Sequence, residues 1–294
     1  MEIVFWPVAM DTKYTDFESL PELDATLVSG SIRNEENEHV TKILRQKSKL
    51  VLAFGSCACE GGTIGLGNLS SKEEILRTVY DEVPATNNPD GTKPSRTFET
   101  EGILTLPAVN ELNLPINRVI KVDYYLSGCP PPVDLIKEFF QKFIDGKLPE
   151  AGSCIAPNES VCDQCERERI SKPIKSLDRT YKVNLAPDIC FLEQGILCVG
   201  PATRAGCKAK CMQANVPCAG CGGRLKVLDQ GARMIGALGA LLPMEHDQNT
   251  MELLEGLKDP VGSLYKYCLS DSLIEKRVRV RVDSKGKRGN ARRT

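Results

Sequence analysis

The stretch KLVLAFGSCACEGG, residues 49 to 62, is an apolar run that ends in a glycine-rich loop with two cysteines. An apolar run bounded by turn residues is typical of a strand buried in a sheet. Similar runs elsewhere alternate with segments that have helical spacing, which predicts an α/β fold with a parallel sheet covered by helices over residues 1–150. The predicted strands are EIVFWPVAM (2–10), ATLVSGS (25–31), KLVLAFGSC (49–57) and RVIKVDYYL (118–126), and the predicted helices lie in NEENEHVTKILRQKS (34–48), SKEEILRTVYDEV (71–83) and PVDLIKEFFQKFIDGK (132–147).

After KLPEAGSCIAPNES (147–160) the pattern changes to short segments interrupted by cysteine, proline and glycine. One longer helix is predicted there, in LDQGARMIGALGALL (228–242). Short, interrupted segments bury little apolar surface and need an internal cross-link to hold their shape. We therefore expect an irregular, cysteine-rich second domain over residues 151–275, followed by a basic, disordered tail at 276–294.

The composition excludes several classes of protein. The chain has 294 residues, with 38 Lys and Arg against 39 Asp and Glu, so no net positive charge is available to attract nucleic acid. The apolar run GALGALL is far shorter than the roughly 20 residues of a membrane span, and no secretory pattern opens the chain. We therefore expect a cytoplasmic protein without a membrane span.

The cysteine content is the unusual feature. Thirteen cysteines, an odd number, in a long chain without a secretory pattern argue against a purely disulfide-linked scaffold. Metal binding by thiolates is the favoured interpretation. The two histidines, His39 and His246, lie far from any cysteine cluster in sequence, so mixed cysteine and histidine zinc motifs are not matched.

Two cysteines stand where predicted strands end. Cys57 lies where the strand at 49–57 ends in a glycine-rich loop, and Cys129 lies in YLSGCPPP (125–132) after the last predicted strand. Ligands of open parallel sheets bind outside the carboxyl ends of the strands, so Cys57 and Cys129, the strand-end pair, are expected to face one pocket. A lone cysteine at a strand end is more often a small buried apolar residue. Cys59 is interpreted as non-ligating.

Eight further cysteines fall into two sets of four, each with one CxxC. Two thiolates at that spacing can bind one cluster, and eight thiolates suit two 4Fe-4S clusters. Two zinc sites of four cysteines would fit the same counts, although zinc modules more often use two CxxC pairs per metal, and disulfide pairing is the least favoured alternative. Cys154 and Cys268 are interpreted as buried thiols. The first cysteine set is Cys162, Cys165, Cys190 and Cys198, and the second cysteine set is Cys207, Cys211, Cys218 and Cys221.

The motifs FGSCACEGG, SGCPPP, CDQC, CFLEQGILCVGPATRAGC, VPCAGC and DQGARMI resemble the small subunit of nickel-iron hydrogenases, most closely the methyl-viologen-reducing type of methanogens and related anaerobes. The resemblance runs from about residue 2 to 270. It implies a flavodoxin-like domain that carries a proximal cluster and a C-terminal domain that carries medial and distal clusters. It also implies a large subunit with the nickel-iron site, a small iron-sulfur adaptor subunit and a heterodisulfide reductase complex as partners.

The resemblance assigns ligands by position. Cys57 and Cys129 would be two proximal ligands, the first cysteine set the distal cluster, and the second cysteine set the medial cluster. Cys162 stands where many relatives have a histidine, and Cys211 where periplasmic relatives have a proline that accompanies a three-iron site. Both medial and distal clusters would then be 4Fe-4S clusters of low potential.

The chain departs from the family at its start. The family's first strand and the CxxC loop with the other two proximal ligands are missing. In the flavodoxin-like strand order the first strand is central, so the strands at 2–10 and 25–31 would lack the neighbour with which both pair. An internal methionine at position 1, a separate polypeptide, or loss of the proximal cluster would each explain this, and the first two are favoured because Cys57 and Cys129 persist.

The sequence thus predicts an electron-transfer subunit of a hydrogenase. We expect no catalytic residue in this chain, because proton chemistry and nickel would belong to the large subunit. His39 and Glu60 are interpreted as ordinary residues. Two alternatives stay open: a two-cluster conduit in a reductase complex without hydrogenase activity, and a zinc-stabilised interaction module. The cluster-bearing small subunit of respiratory complex I is a weaker match, because it lacks the cysteine-rich half.

Overall fold

The computed structural model describes residues 2–95, 97–99, 102–171, 173–174, 176–226, 229–242 and 255–274. The strands are β1 (Leu23–Val28), β2 (Ile32–Asn34), β3 (Ser48–Phe54), β4 (Thr97–Glu99), β5 (Ile103–Thr105), β6 (Val109–Leu114), β7 (Tyr124–Leu126) and β8 (Ser153–Cys154). The helices are α1 (Glu35–Lys47), α2 (Ser56–Glu60), α3 (Lys72–Arg77), α4 (Val133–Ile144), α5 (Lys210–Gln213), α6 (Gln230–Gly239) and α7 (Pro260–Leu264). The predictions for His246 and for the tail at 276–294 concern residues outside these ranges.

The main sheet is parallel, with the strand order β1-β3-β7-β8. The α/β prediction is therefore confirmed, and β3 and β7, the two strands that end next to Cys57 and Cys129, are direct neighbours. Val51, Leu52 and Ala53 of β3 are fully buried, as expected of a central strand with helices on both faces. Two antiparallel pairs, β2 with β6 and β4 with β5, lie beside this sheet.

The helices that cover the sheet follow from local sequence. α1 begins at Asn34, whose side chain accepts a hydrogen bond from the Asn37 backbone N–H in a capping box, and α1 has acidic residues in its first turn and basic residues in its last. α4 buries one apolar face, on which Phe139 is completely inaccessible to solvent. Both predicted helices are confirmed.

The predicted strand at 2–10 is wrong. These residues form an irregular segment in which the Trp6 carbonyl accepts hydrogen bonds from Ala9 and Met10, and Val8 is 90% exposed. A strand needs a hydrogen-bonded neighbour, and within the described ranges residues 2–10 pair with no strand, while β1 pairs with β3 alone. This agrees with the expectation that the segments at 2–10 and 25–31 lack a common neighbour.

The predicted strand at 118–126 is shorter than expected. Only Tyr124–Leu126 pairs with β3, and a 3-10 turn covers Ile116–Arg118. Ile116, Ile120 and Val122 are buried in the core on one side of the sheet without belonging to a strand. The apolar composition of this run therefore indicates burial, and composition does not distinguish a buried turn from a buried strand.

The cysteine-rich half has its own core, and the predicted helix at 228–242 is confirmed as α6. The largest buried side chains of this core include Phe191, Met234 and Leu269. Six cysteines are among its buried or half-buried members: Cys165, Cys190, Cys198, Cys207, Cys218 and Cys268. None of the helices in the described ranges is long and apolar enough to cross a bilayer.

Two contacts fix the last described segment, 255–274, against the sheet half. Asp271 is nearly buried and pairs with Arg118 at 3.1 Å and with Arg224 at 3.3 Å. Ser270 fits against the loop after α2, where a side chain on Gly61 would lie 2.4 Å from the Ser270 Cβ. These contacts hold the strand-end loops and the cysteine-rich half in fixed relation.

Candidate functional site

The structure brings the strand-end pair together. The Gly55 N–H donates to the Leu126 carbonyl and the Ser56 N–H to the Gly128 carbonyl, both at 2.8 Å, so the loops after β3 and β7 run side by side. Burial, and then the neighbouring Cys129 thiol, raise the pKa of Cys57. The two cysteines thus face one region at the carboxyl edge of the sheet, as the sequence predicted.

Glycine is required at one position in this region. Gly62 has φ +63°, and a Cβ on it would lie 2.5 Å from the Cys57 sulfur. No larger residue allows the backbone to come so close to this sulfur. The Gly62 backbone therefore packs directly against the Cys57 thiol, where no side chain would fit.

The Cys59 thiol points into the core instead. Its side chain is 3% exposed and donates to the Ala53 carbonyl at 3.3 Å. Burial raises the pKa of Cys59 well above its usual range. This environment agrees with the prediction that Cys59 is not a ligand.

The first cysteine set lines a single cavity. Gly200 lies at its wall, where a Cβ would be 3.1 Å from the Cys162 sulfur and 3.5 Å from the Cys198 sulfur. Burial raises the pKa of Cys162 and of Cys198 to about 11 each, so these thiols need a cationic partner to ionise at neutral pH. The cavity is lined by Cys162, Cys165, Cys190 and Cys198 together with Arg167, Arg169, Phe191, Leu192, Gly200, Pro201 and Met212.

Backbone N–H groups point at one of these sulfurs. The Cys218 N–H donates to the Cys198 sulfur at 3.3 Å, and the Gly200 N–H faces the same thiol and lowers its pKa. N–H donors directed at thiolate sulfur are a regular feature of iron-sulfur sites, where they tune the reduction potential. Because Cys218 belongs to the second cysteine set, this bond also joins the two sets.

The second cysteine set is held by a strained loop. Lys208 and Ala209 have φ of +54° and +51°, a left-handed conformation that is costly for residues other than glycine. The Gln164 side chain accepts from the N–H groups of Gly206 and Lys208, both at 3.0 Å, and so ties this loop to the CDQC segment. Strain that the surroundings compensate in this way is typical of functional sites.

The thiols of the second set are also close to one another. Burial raises the pKa of Cys218 to about 12. Burial likewise raises the pKa of Cys221, with further contributions from the thiols of Cys207, Cys211 and Cys129, while the Cys129 backbone N–H faces the Cys221 thiol and opposes the rise. Cys221 thus lies close both to its own set and to the strand-end pair.

Three residues near these sites carried no recognisable signal in the sequence. Arg167 lies over the Phe191 ring, 3.9 Å from its centroid, and donates to the carbonyls of Ala186, Ile189 and Met212. Glu193, which is buried, accepts from the backbone of the segment after the CDQC motif. Tyr267 lies near the thiols of both the strand-end pair and the second set.

The donor chemistry fits iron-sulfur clusters. All thirteen cysteines lie in the described ranges, and none is paired in a disulfide there. Across those ranges, no three His, Cys, Asp or Glu side chains are grouped tightly enough to hold one metal ion. The wall of the cavity at Gly200 and the N–H groups directed at Cys198 are the features that suit a sulfur-bridged cluster held by separated thiolates. Cys268 is buried among apolar side chains, as predicted, whereas Cys154 is only half-buried.

Comparison with known proteins supports this interpretation. Residues 1–143 match the family described as NADH ubiquinone oxidoreductase, 20 Kd subunit. The chain is 40% identical over 289 residues to the iron-sulfur subunit of the F420-non-reducing hydrogenase of Archaeoglobus profundus, and the match covers 95% of this chain and 89% of the relative. It is 38% identical to a subunit of the F420-non-reducing hydrogenase vhu of Methanocaldococcus jannaschii, over 95% and 88% of the two lengths. Identity at this level over most of both lengths shows that the chain belongs to the family of small subunits of F420-non-reducing nickel-iron hydrogenases, and is an oxidoreductase subunit whose partner large subunit carries the nickel-iron site.

Proposed function

We propose that this subunit conducts electrons from hydrogen oxidation in the large subunit through three consecutive cluster sites to an external acceptor. The observation that carries the proposal is a set of hydrogen bonds that join the three groups of ligand candidates. The Cys218 N–H donates to the Cys198 sulfur, and the Cys221 carbonyl lies within hydrogen-bond distance of the hydroxyls of Ser56 and Ser127, in the loops of Cys57 and Cys129. The strand-end pair therefore adjoins the second cysteine set, which adjoins the first, in the proximal, medial, distal order that the resemblance implies.

The proposed cofactors are 4Fe-4S clusters, which accept and release one electron at a time. The first and second cysteine sets would each hold one complete cluster with four thiolates. The strand-end pair supplies two thiolates, so a third cluster forms only where other ligands complete it. The chain's own residues hold the sulfurs, exclude water from the buried thiols and direct N–H groups at them.

The proposed partners beyond the large subunit are a small iron-sulfur adaptor subunit and a heterodisulfide reductase complex, in the cytoplasm. The first cysteine set would be the exit site, because it lies at the far end of the row from the strand-end pair. A two-cluster conduit without hydrogenase activity is the nearest alternative, and a zinc-stabilised module is the other.

The experiment that tests the proposal is a count of iron, acid-labile sulfide and zinc per chain, in the small subunit with its large subunit, purified without oxygen. About eight irons in small-subunit clusters correspond to two complete 4Fe-4S clusters, and about twelve to three. Either result supports an electron conduit, and hydrogen-dependent reduction of the clusters decides in favour of the hydrogenase. Zinc in place of iron, without acid-labile sulfide, would contradict the proposal.

The second cysteine set allows a sharper check at Cys211, which is exposed on α5. The Cys211→Ala variant keeps Cys207, Cys218 and Cys221, so we expect a three-iron cluster at this site, with about one iron lost per chain. The measurement is iron content together with electron paramagnetic resonance of the oxidised protein, in which a three-iron signal should appear. Cys154→Ala is the control, with unchanged iron; an unchanged spectrum for Cys211→Ala would remove Cys211 from the ligand set.

A further inference from the structure

The backbone of Cys221 is held by the two loops that carry the strand-end pair. The Cys221 carbonyl accepts a hydrogen bond from the Ser56 hydroxyl at 3.0 Å and faces the Ser127 hydroxyl at 3.2 Å. Both serines are nearly inaccessible to solvent, with 2% and 7% of their surfaces exposed. Buried hydroxyls at such distances have no water to exchange with, so they fix the position of the peptide.

These serines adjoin the strand-end pair in sequence. Ser56 directly precedes Cys57, and Ser127 is two residues before Cys129. The Cys129 backbone N–H in turn faces the Cys221 thiol, whose ionised form it favours. The carbonyl of one residue of the second cysteine set is therefore held by the loops of the neighbouring site, and Ser127 lies more than ninety residues from Cys221 in sequence.

We propose that Ser56 and Ser127 are positioning residues that hold Cys221 where the Cys129 N–H can donate to its sulfur, and that they thereby raise the reduction potential of the cluster on the second cysteine set. This inference rests on the proposed function, since it requires a cluster at that set. Ligation of the clusters by cysteines does not by itself require the hydroxyls of Ser56 and Ser127.

The physical reason lies in the charge of the reduced cluster. Reduction adds one negative charge to the cluster and its sulfurs, and an N–H dipole directed at a ligand sulfur stabilises that state more than the oxidised one. Loss of the hydroxyl contacts frees the Cys221 peptide, lengthens the N–H to sulfur contact and lowers the potential. We expect the ratio of reduced to oxidised cluster at a fixed solution potential to fall about tenfold, equivalent to ~59 mV for a one-electron couple.

The test is a redox titration, followed by electron paramagnetic resonance, of the oxygen-free complex with its large subunit. Ser56→Ala is the primary variant because Ser56 bonds only the Cys221 carbonyl among its described side-chain contacts, whereas Ser127 also bonds Glu60. The Ser56→Ala, Ser127→Ala double variant should give the larger shift. Ser48→Ala is the control: Ser48 is a buried serine whose hydroxyl bonds the Leu44 carbonyl, remote from the cysteines.

The outcomes separate the inference from the proposed function. A fall in one cluster potential, with iron content and the remaining potentials unchanged and with no effect of Ser48→Ala, supports the positioning role. Full iron content with every potential unchanged in both serine variants overturns the inference and leaves the proposed function standing. Absence of iron-sulfur signals in the wild type overturns both.

Discussion

The Cys198→Ala variant is expected to lose the cluster of the first cysteine set, about four irons per chain, and with it transfer of electrons to the protein acceptor. Cys198 is 7% exposed and accepts the Cys218 N–H at 3.3 Å, so water has little access to the position that its sulfur leaves. Loss of a cluster at the proposed exit of the row should lower hydrogen-dependent reduction of the proposed acceptor, a heterodisulfide reductase complex, by about 100-fold, the upper end of the range for disturbed metal sites. Iron content and this reduction rate are the measurements.

Cys268→Ala is the matched control. Cys268 is 3% exposed and belongs to the same hydrophobic core as Cys198, but it lies outside both cysteine sets. Both substitutions remove one buried sulfur, so both leave a small void and a similar loss of packing. Equal iron loss in the two variants would show that packing, and not ligation, explains the effect at Cys198.

Local sequence pattern predicted the elements that position the strand-end pair. The run at 49–57 became β3, because a short apolar segment that ends in glycine has few alternatives inside a sheet covered by helices. The capping residues of α1 and the apolar stripe of α4 likewise act within a few residues. Such signals depend only on neighbouring residues, so the sequence alone is enough to predict these elements.

Strand pairing is not local, and the prediction failed where it depended on a partner. Residues 2–10 have the composition of a strand, yet they turn back at Trp6 and pair with none of the described strands. The run at 118–126 is apolar because it fills the core, and only its last three residues reach β3. Composition predicted burial correctly in the second segment, but strand pairing there is limited to three residues, and residues 2–10 do not pair at all.

The cysteine sets show the same difference between local signals, which the sequence contains, and contacts between distant segments, which it does not reveal. Spacing grouped the eight cysteines, and the structure places the first set around one cavity. The groups that orient them come from distant segments: Arg167 reaches the carbonyls next to the other two motifs, and Ser56 reaches Cys221 across the interface between the two halves. No spacing rule connects residues so far apart, because their proximity results from packing of the whole chain.

The second large effect is expected at Glu60, the last residue of α2. Its side chain is buried, and desolvation raises its pKa to about 8; Asp271 adds to the rise, while the Ser127 hydroxyl, Arg224 and Arg204 oppose it. A carboxyl with a raised pKa takes up a proton on folding, so its contribution to stability is greatest below pH 4.5 and is lost as pH rises to about 8. Glu60→Gln keeps the shape but has no proton to lose. Its stability relative to wild type should rise by about 1.4 kcal/mol per pH unit across this window.

The measurement is the difference in thermal unfolding midpoint between Glu60→Gln and wild type, in the purified complex, from about pH 5.5 to about pH 8.5, a range that brackets the upper part of the window. Glu138→Gln, at an exposed position on α4, is the control and should follow wild type throughout. A difference that stays flat with pH would contradict the protonated state of Glu60.

The hydrogen bonds give an independent reason to expect that protonated state. Ser127 has one hydroxyl proton but faces two acceptors, Glu60 Oε2 at 2.8 Å and the Cys221 carbonyl at 3.2 Å. If Glu60 carries a proton it donates to Ser127, and Ser127 is free to donate to Cys221, so every group is satisfied. If Glu60 is ionised, Ser127 turns toward the carboxylate and the Cys221 carbonyl keeps only Ser56. Deprotonation of Glu60 should therefore loosen the same peptide that the serine substitutions release. The Glu60→Gln amide, which also donates, should hold it at every pH.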